Sequence, residues 1–135
     1  MVTDLQIRKT AVEKTISHYK DRPFKWGSVD CIKISRYLAI QLGHKPPRAP
    51  RYSSMTGALR ALKKMEADSC EGLIAKYFPS IPVSHALPGD LLIGDAVQGM
   101  DAVLISAGRW AIGFHEDSDV LEFILPENIK SAYRL

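Results

Sequence analysis

The sequence predicts an α+β protein in which a helical half precedes a small antiparallel β-sheet. Three observations carry this. Apolar residues recur at helical spacing in four stretches that end by Phe78, the character of the chain changes at Pro79, and short apolar runs separated by turn residues follow. At 135 residues, with 46% hydrophobic and 24% charged residues, the chain suits one domain around a single core. Within that domain (1-135), residues 1-21 read as an N-terminal helix, 22-78 as a helical half and 79-135 as a strand half. No internal repeat or low-complexity segment interrupts it.

Thr3 and Gln6 have the spacing of a capping box, and Leu5, Val12, Ile16 and Tyr19 give the first helix its apolar stripe. Arg22-Pro23 ends it, and His18 near its C-terminal end suits the helix dipole. The second helix begins at Cys31. Asp30 is its N-cap, Ile34, Leu38 and Leu42 lie on one face with Tyr37 beside them, and Gly43 terminates it. Pro46, Pro47 and Pro50 make a short rigid loop, with His44 exposed within it. Ser54 caps a third helix from about Met55 to Met65, with Ala58, Leu59 and Leu62 on one side, and Gly57 in its first turns suggests close packing. A fourth helix spans about Ser69 to Phe78. Residues 79-90 form a loop leading into strands at Leu91 to Ile93, Ala102 to Ser106, Trp110 to Phe114 and Val120 to Ile124, and the tail Ala132 to Leu135 is expected as a last edge strand.

Composition excludes several function classes. The net charge of +3 arises from basic residues scattered along the chain, without the dense basic run of a nucleic-acid binder. Two cysteines, Cys31 and Cys70, make no disulfide framework and have no zinc-ligand spacing, so neither a metal nor a cofactor is expected. The N-terminus lacks the apolar core of a signal peptide and no apolar run is long enough to span a bilayer.

Cys31 is the strongest candidate for chemistry. At the first position of a helix, unpaired backbone N–H groups and the dipole favour a thiolate, which makes a cysteine nucleophilic near neutral pH. The plainer alternative is a cysteine on an apolar helix face acting as a small buried hydrophobe. Cys70 also stands at a helix start, but nothing beside it in sequence resembles an activating base, and it reads as structural.

Pro23-Phe24-Lys25-Trp26-Gly27 followed by Asp30-Cys31 resembles the nucleophile region of the NlpC-type cysteine peptidases. Leu87-Pro88-Gly89-Asp90-Leu91-Leu92 resembles their second landmark, the turn that opens the strand region. Those enzymes have a compact papain-like fold and cleave peptide bonds in bacterial peptidoglycan. The chain is more similar still to a branch encoded by tailed bacteriophages and prophages. That branch also carries a tyrosine before a Gly-Ala-Leu-Arg segment and a closing Ala-aromatic-Arg, here Tyr52, Gly57-Ala58-Leu59-Arg60 and Ala132-Tyr133-Arg134. The resemblance runs in order from about Arg22 to Leu135.

One departure is decisive. The active peptidases open the strand after the Pro-Gly-Asp strand with a histidine that pairs with the cysteine, and the corresponding position here is Asp101. An aspartate is already ionised near pH 7 and is a weak base. The third polar site falls near Ala111 to Gly113, which offers no side chain to orient a base. His115 and His85 are the substitutes the sequence offers, and His115 with Cys31 is the catalytic pair to test, with Asp101 a further candidate.

The resemblance therefore implies a bacteriophage tail component, made in the host cytoplasm and carried in the virion. It would use a degenerate peptidase fold to dock on tail-tip, hub or tape-measure proteins. The alternative is an active peptidoglycan hydrolase with Cys31 as nucleophile.

Overall fold

The computed structural model describes residues 3–97, 100–114 and 119–135. Four helices come first: α1 (Asp4–Tyr19), α2 (Cys31–Gln41), α3 (Met55–Lys64) and α4 (Cys70–Tyr77). Each starts where a short polar side chain accepts a backbone N–H: Thr3, Asp30, Ser54 and Ser69. At α1 the capping box is complete, with Gln6 N–H donating to Thr3 Oγ1 (3.1 Å) and Thr3 N–H to Gln6 Oε1 (2.9 Å). After α2, Gly43 takes φ +92°, the left-handed conformation that closes a helix.

The apolar stripe of α1 differs from the expected one. Arg8, Ala11, Val12, Thr15 and Tyr19 are buried, whereas Leu5 is 44% exposed. Periodicity rules weight apolar side chains. This helix turns inward around an arginine whose charge is met inside the protein, and Thr15 is accommodated because its hydroxyl donates to the Ala11 carbonyl at 2.8 Å.

The second half forms one antiparallel sheet: β1 (Ser80–Ile81), β2 (Leu91–Val97), β3 (Met100–Ala107), β4 (Trp110–Phe114), β5 (Leu121–Ile124) and β6 (Ser131–Tyr133). The order is β1-β6-β2-β3-β4-β5. Two features correct the sequence reading. The loop over 79-90 contains β1 and a 3₁₀ turn at Val83–His85. The tail strand β6 is not an edge but lies between β1 and β2, with Ala132 paired to both Ile81 and Leu92. Only a pairing between distant segments makes Ser80–Ile81 a strand at all, which is why no local pattern announced it.

Side chains alternate between the faces of the sheet. Leu91, Ile93, Val103, Ile105, Ile112 and Tyr133 join the main core with the helices, while Leu92, Ala111 and Ala132 form a small cluster on the other face. Asp101 shares the parity of Val103 and Ile105 along β3, so it faces the helices.

The Pro88-Gly89-Asp90 turn is a structural clasp. Asp90 is fully buried; its Oδ1 accepts from Arg8 Nη1 (2.9 Å) and Leu135 N–H (3.1 Å), and its Oδ2 from Arg134 Nε (2.9 Å) and Leu87 N–H (2.8 Å). One carboxylate thus ties α1, the loop before β2 and the end of the described chain together, and it accounts for Arg134 in the closing Ala-Tyr-Arg segment.

Candidate functional site

The segment leading to Cys31 is held by backbone fit. Gly27 has φ +87°, and a Cβ there would lie 1.9 Å from the Tyr52 carbonyl oxygen, so no other residue fits without moving the Tyr52 segment. Phe24 packs edge-on against Trp26 (4.9 Å) and Phe114 (5.0 Å), joining this loop to the sheet. Asp30, fully buried, accepts from Lys33 N–H at 2.9 Å through Oδ1, and from Gly27 N–H (2.8 Å) and Tyr52 Oη (2.7 Å) through Oδ2. Burial, and then the Asp30 carboxylate, push the Tyr52 phenol far above its usual range, so it remains a donor. Asp30 and Tyr52 therefore fix the start of α2 and the direction in which Cys31 leaves it.

Cys31 is half-buried and lines a cavity of about 70 Å³ whose wall is mostly apolar, including Ala39, Leu73, Ile74 and Phe78. An apolar cavity of about 150 Å³ holds one benzene, so this one admits no more than a small apolar group. Among the described residues no histidine lines it.

What faces Cys31 is the other cysteine. Cys70, 2% exposed, lines the same cavity, and its thiol is close enough to Cys31 for the two to influence each other's ionisation. Asp101 lies at the same helix start. The Asp101 carboxylate is engaged by the start of α4, with Oδ1 accepting from Cys70 N–H at 2.9 Å and Oδ2 from Glu71 N–H at 2.7 Å. It supplies the negative charge that a helix N-terminus favours. The contact with Cys31, then burial, then the Asp101 carboxylate push the Cys70 thiol well above its usual range. Cys70 is therefore held protonated, a poor nucleophile at rest.

Glu71 continues the array on its other side. It accepts from the hydroxyls of Ser131 and Tyr133, the latter at 2.8 Å, with Lys130 Nζ 3.7 Å away. These hydroxyls, Ser131 first, hold its carboxyl below the usual range. Burial and then the Glu71 carboxylate push Tyr133 up to about 12. Tyr133 is thus a second residue of the closing Ala-Tyr-Arg segment with a specific partner.

The structure puts Cys70, not Asp101, on the cavity that Cys31 lines, and engages Asp101 with the backbone at the start of α4. His85 is exposed on the 3₁₀ turn and its carbonyl accepts from Arg134 Nη2 at 2.9 Å; it does not line the Cys31 cavity. His115 lies outside the described residues. Ala111 to Gly113 offer no side chain able to orient a base. His18 stacks on Tyr37 at 4.4 Å and His44 packs edge-on against Phe78 at 5.0 Å. Among the described residues no group of three histidine, cysteine or acidic side chains could hold a metal ion.

Sequence reasoning missed Cys70 as a partner of Cys31 and Asp101 as the acceptor for α4. The available signal was that both cysteines open helices; their meeting depends on how α2 and α4 pack on β3.

Fold and site together define a small α+β protein whose distinctive feature is two free thiols lining one cavity, the inner one at a helix start held by a carboxylate from the sheet. The chain belongs to the family described as "Domain of unknown function (DUF6950)", which matches residues 3–135. Among curated proteins none matches the sequence.

Proposed function

We propose that the protein is a structural or docking component of a bacteriophage tail, built on a papain-like fold of the NlpC type that has lost its peptidase dyad. The observation that carries the loss of hydrolysis is the setting of Asp101. At the position where the resembling peptidases present a histidine, its two carboxylate oxygens accept backbone N–H groups of α4, and it is Cys70 that shares the cavity of Cys31. A carboxylate whose two oxygens are both taken by backbone N–H groups of α4 is not placed to act as a base on Cys31, and a protonated thiol is no general base. The tail assignment rests on the ordered resemblance from about Arg22 to Leu135, whose landmarks here hold specific partners: Tyr52 on Asp30, Asp90 on Arg134, and Tyr133 on Glu71.

Docking is supported by the strand half. At the β4–β5 end of the sheet Trp110 is 43%, Phe123 58% and Leu125 53% exposed, a concentration of large apolar side chains suited to a protein partner. No helix of the described residues is long and apolar enough to cross a membrane.

Two measurements test the reading. Mass spectrometry of purified virions is expected to find the chain in the tail fraction; its consistent absence from virions and from tail intermediates overturns the assignment. A cell-wall clearing assay is expected to show no activity for the wild type. Clearing that Cys31→Ala abolishes would instead restore a peptidoglycan hydrolase with Cys31 as nucleophile.

A further inference from the structure

The two thiols suggest a chemistry of their own, independent of the tail reading. The chain has two cysteines, both are free, and both open a helix whose first residue borders the same small cavity. They differ in access: Cys31 is half-buried at the cavity wall, while Cys70 is 2% exposed behind it. Asp101 holds the Cys70 backbone N–H at 2.9 Å and so fixes that residue to β3, on the cavity that the start of α2 also borders. Among the described residues the lining holds no histidine and no carboxylate, and a sulfur oxidised at the outer position has the inner sulfur on the same cavity wall to react with.

We propose that Cys31 and Cys70 form an oxidant-modifiable pair, in which a small peroxide oxidises Cys31 and Cys70 resolves the product to an intramolecular disulfide. In the first step the Cys31 thiolate attacks one peroxide oxygen; an S–O bond forms, the O–O bond breaks, and hydroxide leaves, giving a sulfenic acid. In the second step the Cys70 sulfur attacks the Cys31 sulfur. The S–S bond forms, the S–O bond breaks, and the leaving hydroxyl departs as water with the Cys70 proton. The sum is two thiols and one peroxide giving a disulfide and two waters. Two equivalents of a small thiol reverse it by exchange.

The asymmetry of the pair follows from its surroundings. Cys31 is the sulfur an incoming oxidant meets. Cys70 is held protonated by its contacts and by burial, and becomes useful only once a sulfenic sulfur lies against it.

The test uses the full chain, reduced and then treated with hydrogen peroxide, denatured, alkylated with iodoacetamide and measured by intact mass and peptide mapping. The expected result is a monomer that loses both alkylation sites, contains a Cys31–Cys70 cross-linked peptide, and regains both sites after dithiothreitol. Cys70→Ser is expected to accumulate a Cys31 sulfenic acid trapped by dimedone. In Cys31→Ser, Cys70 is expected to oxidise at least about tenfold more slowly than Cys31 does in the wild type. The first measurement is made on the wild-type chain, so its outcome does not depend on a variant folding. Retention of both alkylatable thiols, cross-linking only between chains, or equal oxidation of Cys70 in Cys31→Ser would each overturn the proposal.

Discussion

Asp101→Ala isolates what the carboxylate at the start of β3 does. The side chain is 8% exposed and accepts two backbone N–H groups, at 2.9 and 2.7 Å, from the first turn of α4. A hydrogen bond to a charged group contributes about 1.5–3 kcal/mol, and loss of a helix-capping acceptor typically costs about 0.5–2 kcal/mol. Ser69 still accepts from Gly72 N–H, so α4 keeps part of its cap. The expected loss for the alanine variant is therefore about 2–3 kcal/mol, and about half that for Asp101→Asn, which keeps one acceptor oxygen. For a chain of this length that corresponds to a fall of roughly 7–12 °C in melting temperature for the alanine variant. Urea unfolding followed by circular dichroism reads it as a shift in midpoint at constant slope, with the exposed Glu122→Ala as a control expected within about 0.5 kcal/mol of wild type. An Asp101→Ala protein as stable as that control would refute the view that this carboxylate holds the helix, and would free it for a role at the thiol.

Gly27 and Gly43 both sit at φ near +90°, but a Cβ on Gly27 meets the Tyr52 carbonyl at 1.9 Å and one on Gly43 meets nothing within 4 Å. Gly43→Ala is expected to cost about 1–2 kcal/mol from the backbone conformation alone, and Gly27→Ala clearly more; equal denaturation midpoints would contradict the close approach. Asp90→Ala removes the shared partner of Arg8 and Arg134 and is expected to destabilise the fold by about 3–5 kcal/mol, read by calorimetry, because the Arg8 charge stays buried. A loss below about 1 kcal/mol would show that the clasp is dispensable. Because the Glu71 carboxyl is held below its usual range by Ser131 and Tyr133, its contribution is present above the ordinary carboxylate range and is lost as pH falls through the lower folded value. Glu71→Gln is therefore expected to narrow the stability difference between pH 6 and acid relative to wild type, and an unchanged acid profile would count against it. The opposite sign applies to Tyr133: its contribution is complete below about pH 10 and fades as pH rises towards about 12, so Tyr133→Phe is expected to flatten the alkaline limb of the same profile.

Local chemistry was legible wherever one residue acts on its chain neighbours. Thr3, Asp30 and Ser54 each cap the helix that follows, and Gly43 ends α2 as a left-handed residue, because capping is settled within four residues by backbone geometry. The same holds for the strands from Leu91 onward, whose alternation and turns carry their own signal. Four helices followed by an antiparallel sheet could thus be read from order and pattern alone.

Tertiary structure decided everything that depends on which distant groups meet. It buried Arg8 where an apolar stripe was expected, because Asp90 comes from the other half of the chain to neutralise it. It placed β6 inside the sheet and made Ser80–Ile81 its partner. Above all it set Cys31 and Cys70 on one cavity and engaged Asp101 at the start of α4, so that two cysteines far apart in sequence share one wall. Sequence spacing reports direction within an element, whereas contact between α2, α4 and β3 depends on how their apolar faces pack, and that packing is a property of the whole core.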